Sequence, residues 1–265
     1  ESGGDVDVNS GAGELSITGD LTNDGTIFDG DDDTSGLVVT GNVTNNGAIQ
    51  DELTMNGGDN TSGGFSVSLS GSGSFETGLT IGESGTDLVA TTSEITVSGP
   101  FTLADGEFDV RGGSVTLQGD ITQSLDGFVT DSDGRVIISG DDAQTYSLDS
   151  GDRSIDHLTI NKGPVEFLTF DGASADDEGI TINEDFNFQS GRIQLDNASG
   201  NAEDINISGS ATLAGVIQQT GSGSSTLDLV VAADEDISVA GNGQINVPLE
   251  ADISSGGSAT LTELA

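Results

Sequence analysis

The sequence predicts an all-β fold, a right-handed parallel β-helix (β-solenoid) of about ten to twelve coils. Three observations predict it: an internal repeat that aligns without a gap, apolar–polar alternation inside each repeat, and a composition that suits a narrow core.

The repeat is clearest near the start. Residues 15–27 (LSITGDLTNDGTI) lie over residues 37–49 (LVVTGNVTNNGAI) at an offset of 22 residues. Apolar residues fall on apolar ones and glycine on glycine, with Thr22 on Thr44 and Asn23 on Asn45. Looser copies follow at 67–71, 95–99, 115–119, 136–140, 205–209 and 237–241, each an alternating segment that runs into a glycine. Their spacing, roughly 20–30 residues, is that of solenoid repeats.

The alternation has period 2, so each strand has one apolar and one polar side. A second short strand follows the first, as at Phe101-Thr102-Leu103 and Phe186-Asn187-Phe188. A third follows again, as at Glu107-Phe108-Asp109-Val110 and Arg192-Ile193-Gln194-Leu195. Strand, glycine corner, strand, glycine corner, strand is the path of one coil, since glycine accepts the positive φ that corners need. Asn23 and Asn45 are placed to ladder from coil to coil. One coil cannot bury its own apolar side; coils stacked at about 4.8 Å bury it jointly. An antiparallel β-sandwich also uses short strands and frequent turns, but the gap-free register favours the solenoid. The whole span 1–265 reads as a single β-helix domain.

Composition fits a thin core. Apolar residues are 32% and aromatic residues 4%, with no Trp and no Cys, which cannot fill a wide globular interior. Short β-branched runs throughout, such as Leu37-Val38-Val39 and Val136-Ile137-Ile138, argue against disorder. No capping helix is visible at 1–13 or 254–265, and Glu1 is not a methionine. Two expectations follow: a fragment of a longer chain whose caps lie elsewhere, or open ends that bind subunit to subunit. A head-to-tail contact that does not close makes a filament.

The net charge is −41, from 46 acids against five bases: Arg111, Arg135, Arg153, Lys162 and Arg192. Such a surface repels phosphates, so no nucleic acid is expected as a partner. Anionic membrane surfaces are disfavoured for the same reason, and no apolar run is long enough to span a bilayer. Self-repulsion of this size opposes a compact state. Salt relieves it, since the Debye length falls from about 8 Å at physiological salt to about 3 Å at 1 M. One lysine, many aspartates and small apolar residues resemble the proteins of salt-loving organisms.

Residues 134–145 (GRVIISGDDAQT), 155–162 (IDHLTINK), 180–186 (ITINEDF) and 190–193 (SGRI) resemble the repeats of large bacterial surface β-helix proteins, the filamentous-haemagglutinin-like and autotransporter-like adhesins. The match is best over 110–215. The resemblance implies export to the cell surface and a scaffold role in adhesion or assembly. It brings no catalytic residues.

Candidate sites are few. His157 is the only histidine, and a catalytic role needs a positioned partner; it reads as an outward-facing structural residue. With no Cys and one His, most triads and transition-metal sites are excluded. Five bases are too few for a cleft that binds a polyanionic sugar, so an enzyme is not expected. Arg111, Arg135 and Arg153 recur near one coil apart, as a short basic stripe or, the favoured reading, as partners of nearby aspartates. Calcium is the one cofactor the acidic turns suggest, at Asp29, Asp31, Asp32 and Asp33 and at Asp131 and Asp133. Neither turn fits an EF-hand loop, and solvated acidic turns are the simpler reading. Sequons at Asn42, Asn60, Asn197 and Asn206 allow surface glycosylation.

The expected function is an extracellular structural protein, a filament subunit or adhesin stalk that self-associates through its coils. A glycan-binding or polysaccharide-degrading β-helix protein is the alternative, with a glycan or other cell-surface ligand as partner. Circular dichroism should show strand signal that persists at molar salt and weakens as salt is removed. Unchanged stability at low salt would overturn the salt-adapted reading.

Overall fold

A computed structural model describes residues 6–7, 15–28, 36–56, 66–82, 88–104, 107–124, 128–130, 133–148, 153–172, 178–197, 203–221, 227–231, 237–239, 243–247, 249–253 and 262–263. All regular structure described is β, and every described strand pairing is parallel. The protein is a β-solenoid, and the antiparallel sandwich is excluded. The chain divides into two compact units, Glu1–Gly134 and Arg135–Ala265.

In the first unit each coil crosses three parallel sheets. One sheet stacks Leu15–Ile17, Leu37–Val39, Glu52–Met55, Gly78–Ile81, Phe101–Leu103 and Ile121–Gln123. A second stacks Leu21–Asn23, Val43–Asn45, Ser66–Ser70, Leu88–Thr91, Glu107–Val110 and Phe128–Thr130. The third stacks Val6–Asp7, Thr26–Phe28, Ala48–Ile49, Ser74–Phe75, Glu94–Val97 and Ser114–Leu117. The register is the one the repeat predicts: Leu15 pairs with Leu37, Asn23 with Asn45 and Ile27 with Ile49.

Alternation sets the sides. Phe101 and Leu103 point into the core while Thr102 between them does not, and Ile95 and Val97 flank Thr96 in the same way. Phe75, Phe101 and Phe108 are fully buried, with the Phe101 and Phe108 rings 5.7 Å apart. Each such side chain contributes about 1.5–3 kcal/mol relative to leaving it in water. At the corners, coils approach too closely for a side chain. Gly71 has φ +107°, and a Cβ there would sit 2.0 Å from the Asn45 carbonyl oxygen of the coil below.

Asparagines tie the corners together. The Asn23 amide donates to Asn45 Oδ1 (2.8 Å), and the Asn45 amide donates to the Ser74 carbonyl (3.0 Å). Each Oδ1 also accepts the N–H two residues on, from Gly25 and Gly47. A single amide therefore turns its own corner and bonds the next coil. The sequon residue Asn42 is engaged too, with its amide on Asp20 and its Oδ1 accepting from Ser68.

The second unit departs from the uniform coil. Arg153–Lys162 and Glu178–Ser190 are single strands of 10 and 13 residues. Phe186-Asn187-Phe188, expected as a separate strand after a corner, continues the strand that holds Ile180 and Ile182. The reason is local: Asn183-Glu184-Asp185 contains no glycine, so the chain stays extended. Register shifts against Arg153–Lys162, between Ile155 and His157 and between Ile160 and Asn161, absorb the bend instead. In the next coil Gly209 restores the corner, and Glu203–Ile207 and Ser210–Leu213 both pair with the long strand. A second sheet stacks Gln144–Leu148, Phe167–Gly172, Arg192–Asn197, Val216–Gly221 and Gln244–Asn246.

The count of about ten to twelve uniform coils therefore does not hold. Among the described residues of the first unit, five coils run complete through three strands, at 15–28, 37–49, 52–75, 78–97 and 101–117. The core of the second unit is again aromatic, with Tyr146 over Phe170 (5.4 Å) and Phe186 beside Phe188 (6.3 Å).

Asn45 is fully buried, so its replacement strands several polar groups at once. Asn45→Ala should lower stability by about 3 kcal/mol in chemical unfolding of the intact chain at molar salt. Asn45→Asp should not rescue it, because the carboxylate cannot donate to Ser74 and brings a charge into the core.

Candidate functional site

Of the residues proposed for calcium, Asp29, Asp31, Asp32, Asp33 and Asp131 lie outside the described residues. Asp133 is described and exposed. No group of three or more His, Asp or Glu residues able to hold a metal ion occurs among the described residues.

The bases resolve individually. Arg111 pairs with Asp109, two residues back, through both Nε and a terminal nitrogen. Asp109 is buried, so this pair offsets a carboxylate held out of water. The side chain of Arg153 lies outside the described residues. Lys162 is 2% exposed, and its ammonium donates to the Asp142 carbonyl and to Gln144 Oε1. Arg192 places its guanidinium 5.5 Å from the centre of the Phe167 ring. Arg135 does something different: it walls a groove.

That groove lies on the polar side of the second unit's larger sheet and encloses about 330 Å³. Its lining is Arg135, Asp185, Asn187, Ser210, Thr212 and Ser238, with Phe186 and Ala211 beneath. Register builds it. Asp185 pairs with Ser210 and Asn187 with Thr212, while Thr212 pairs with Ser238. Alternation keeps Phe186 and Ala211, the residues between, buried.

His157 sits at the edge of this arrangement. It stands in register with Asp185 and on the polar side of its strand, since its neighbours Leu158 and Ile160 are core. Although it faces outward, its neighbours cover it, and His157 is only 5% exposed. Its Nε2 lies 3.2 Å from Glu184 Oε2 and its Nδ1 3.2 Å from Asp185 Oδ2. Both carboxylates come from the following coil and are about half exposed. The register shift between Ile155 and His157 brings the ring there, and nothing in the repeat announces that shift. Glu184, Asp185 and Asn187 were missed for the same reason.

No helix among the described residues is long and apolar enough to cross a membrane. Comparison with protein-family models, with curated proteins and with solved structures returns no match.

The Arg111–Asp109 pair yields a direct test. Arg111 is about half exposed, so solvent screens the pair and the loss is modest. Arg111→Ala should cost about 2 kcal/mol by leaving the buried carboxylate uncompensated. Adding Asp109→Asn should recover most of that, as read by thermal unfolding of both variants at molar salt.

Proposed function

We propose that the protein is an extracellular structural protein, the subunit of a surface filament or the stalk of an adhesin, which assembles by stacking coil on coil. The observation that carries this reading is the self-complementarity of the coil. Coil meets coil through parallel backbone pairing with apolar side chains matched inside, and between the coils of Asn23 and Asn45 the corner amides match as well. The edge that receives one coil of this chain has the geometry to receive a coil of a second copy. The resemblance of 110–215 to surface β-helix adhesins supports the same role, as does the fold class. Cell-surface localisation belongs to this proposal, and so does adaptation to high salt, which screens the repulsion between subunits of this charge.

The second reading, a glycan-binding or polysaccharide-degrading β-helix protein, is favoured by one feature, the polar groove at Arg135, Asp185 and Asn187. A structural role stands first because coil complementarity extends through many strands while the groove occupies one face of one unit.

Negative-stain microscopy and light scattering at molar salt and high protein concentration test the proposal. Rods longer than one chain, lengthening with concentration, are the expected result. Monodisperse monomers throughout would overturn assembly by stacking.

A further inference from the structure

We propose that the groove on the second unit's larger sheet is a binding site for a neutral sugar. The proposal does not rest on the filament reading, because the groove lies on a sheet face and not at a strand edge.

Two columns of outward positions build the site. Val136 is in register with Leu158, which sets Arg135 one coil before His157; His157 pairs with Asp185, and Asp185 with Ser210. Alongside runs the column Ile137, Thr159, Asn187, Thr212, Ser238. Coil spacing therefore lines up a guanidinium, a carboxylate, an amide and three hydroxyls. A sugar hydroxyl both donates and accepts, and so do the amide and the hydroxyls facing it. A carboxylate such as that of Asp185 can take two neighbouring hydroxyls, one on each oxygen. His157 meets Asp185 on one side, and the carboxylate keeps about half its surface open on the other.

Charge selects the class of sugar. Arg135 and Asp185 both line the groove and Glu184 stands beside His157 at its edge, so an acidic sugar meets more carboxylates than bases at close range, where salt screens least. A bare divalent cation finds no group of three ligands among the described residues. Size limits the ligand to one or two rings, since about 330 Å³ is at the small end of ligand pockets. Phe186 is 1% exposed and offers no face for stacking, so binding rests on hydrogen bonds and is weak.

The test is titration of the intact chain at molar salt, followed by amide chemical shifts, with maltose and cellobiose as probes. Saturable shifts confined to the groove strands are expected, with a Kd on the order of 1 mM, as for a ligand held without stacking. Asp185→Asn and Asn187→Ala should each weaken binding about tenfold or more while circular dichroism stays unchanged. Thr212→Val, at an exposed position, carries the test if either of those variants fails to fold. Digalacturonate and calcium chloride alone should leave the groove resonances in place. No saturation with either disaccharide, undiminished binding in the folded variants, or a tighter response to digalacturonate or calcium would overturn the proposal. Binding by chains that stay monomeric would support it even as the filament reading failed.

Discussion

Parallel stacking in register is the constraint on which the rest of the structure depends. When coil follows coil at about 4.8 Å with no slip, every residue sits on its counterpart, and every property of that residue is multiplied along the stack. Apolar positions become a continuous core: Leu53, Leu79 and Phe101 are successive register partners, all buried. Asparagine at a corner becomes a ladder, because the amide that accepts from one coil donates to another. Glycine recurs where backbones nearly touch. A composition poor in large side chains is sufficient because no coil needs more than a few of them.

The same multiplication makes charge dangerous, since a carboxylate in a strand centre stands over whatever charge its partner carries. The first unit answers by keeping strand centres neutral. Thr54, Thr80, Thr102 and Thr122 form an unbroken row of register partners on one sheet. Asp20 and Asp24 instead sit at corners, where they accept hydrogen bonds from Asn42 and Asn46. Asp109 is the exception, and Arg111 sits beside it. The second unit is less protected: Asp171 pairs in register with Asp196, Glu178 with Glu203 and Asp228 with Glu250. The proposed adaptation to salt thus rests on register as well as on net charge.

What was legible in the sequence was what repeats. The offset of residues 15–27 on 37–49 became the observed pairing residue for residue, because stacking in register is the physical cause of the repeat. Phe75, Phe108 and Phe188 are buried, on the apolar side that alternation gives their strands. What was not legible was the departure from repetition. The path of 178–190 depends on the lack of a corner glycine and on register shifts against a neighbouring strand, which only pairing reveals. The burial of Lys162 was equally hidden: its ammonium reaches Gln144 and the Asp142 carbonyl, groups 18 and 20 residues away that only the coil brings near.

The groove arises at that same departure, and for a physical reason. A uniform coil presents the same side chain at each level, so its outer face carries rows of one chemistry, as the threonine row does. Recognition of a small ligand needs unlike groups side by side. The long strand 178–190 supplies them, because the register shift at His157 sets Asp185 and Asn187 into columns that begin with Arg135 and Ile137 and end with Ser210 and Ser238. Regular stacking builds the scaffold, and the coil that breaks the pattern creates a surface with a chemistry of its own.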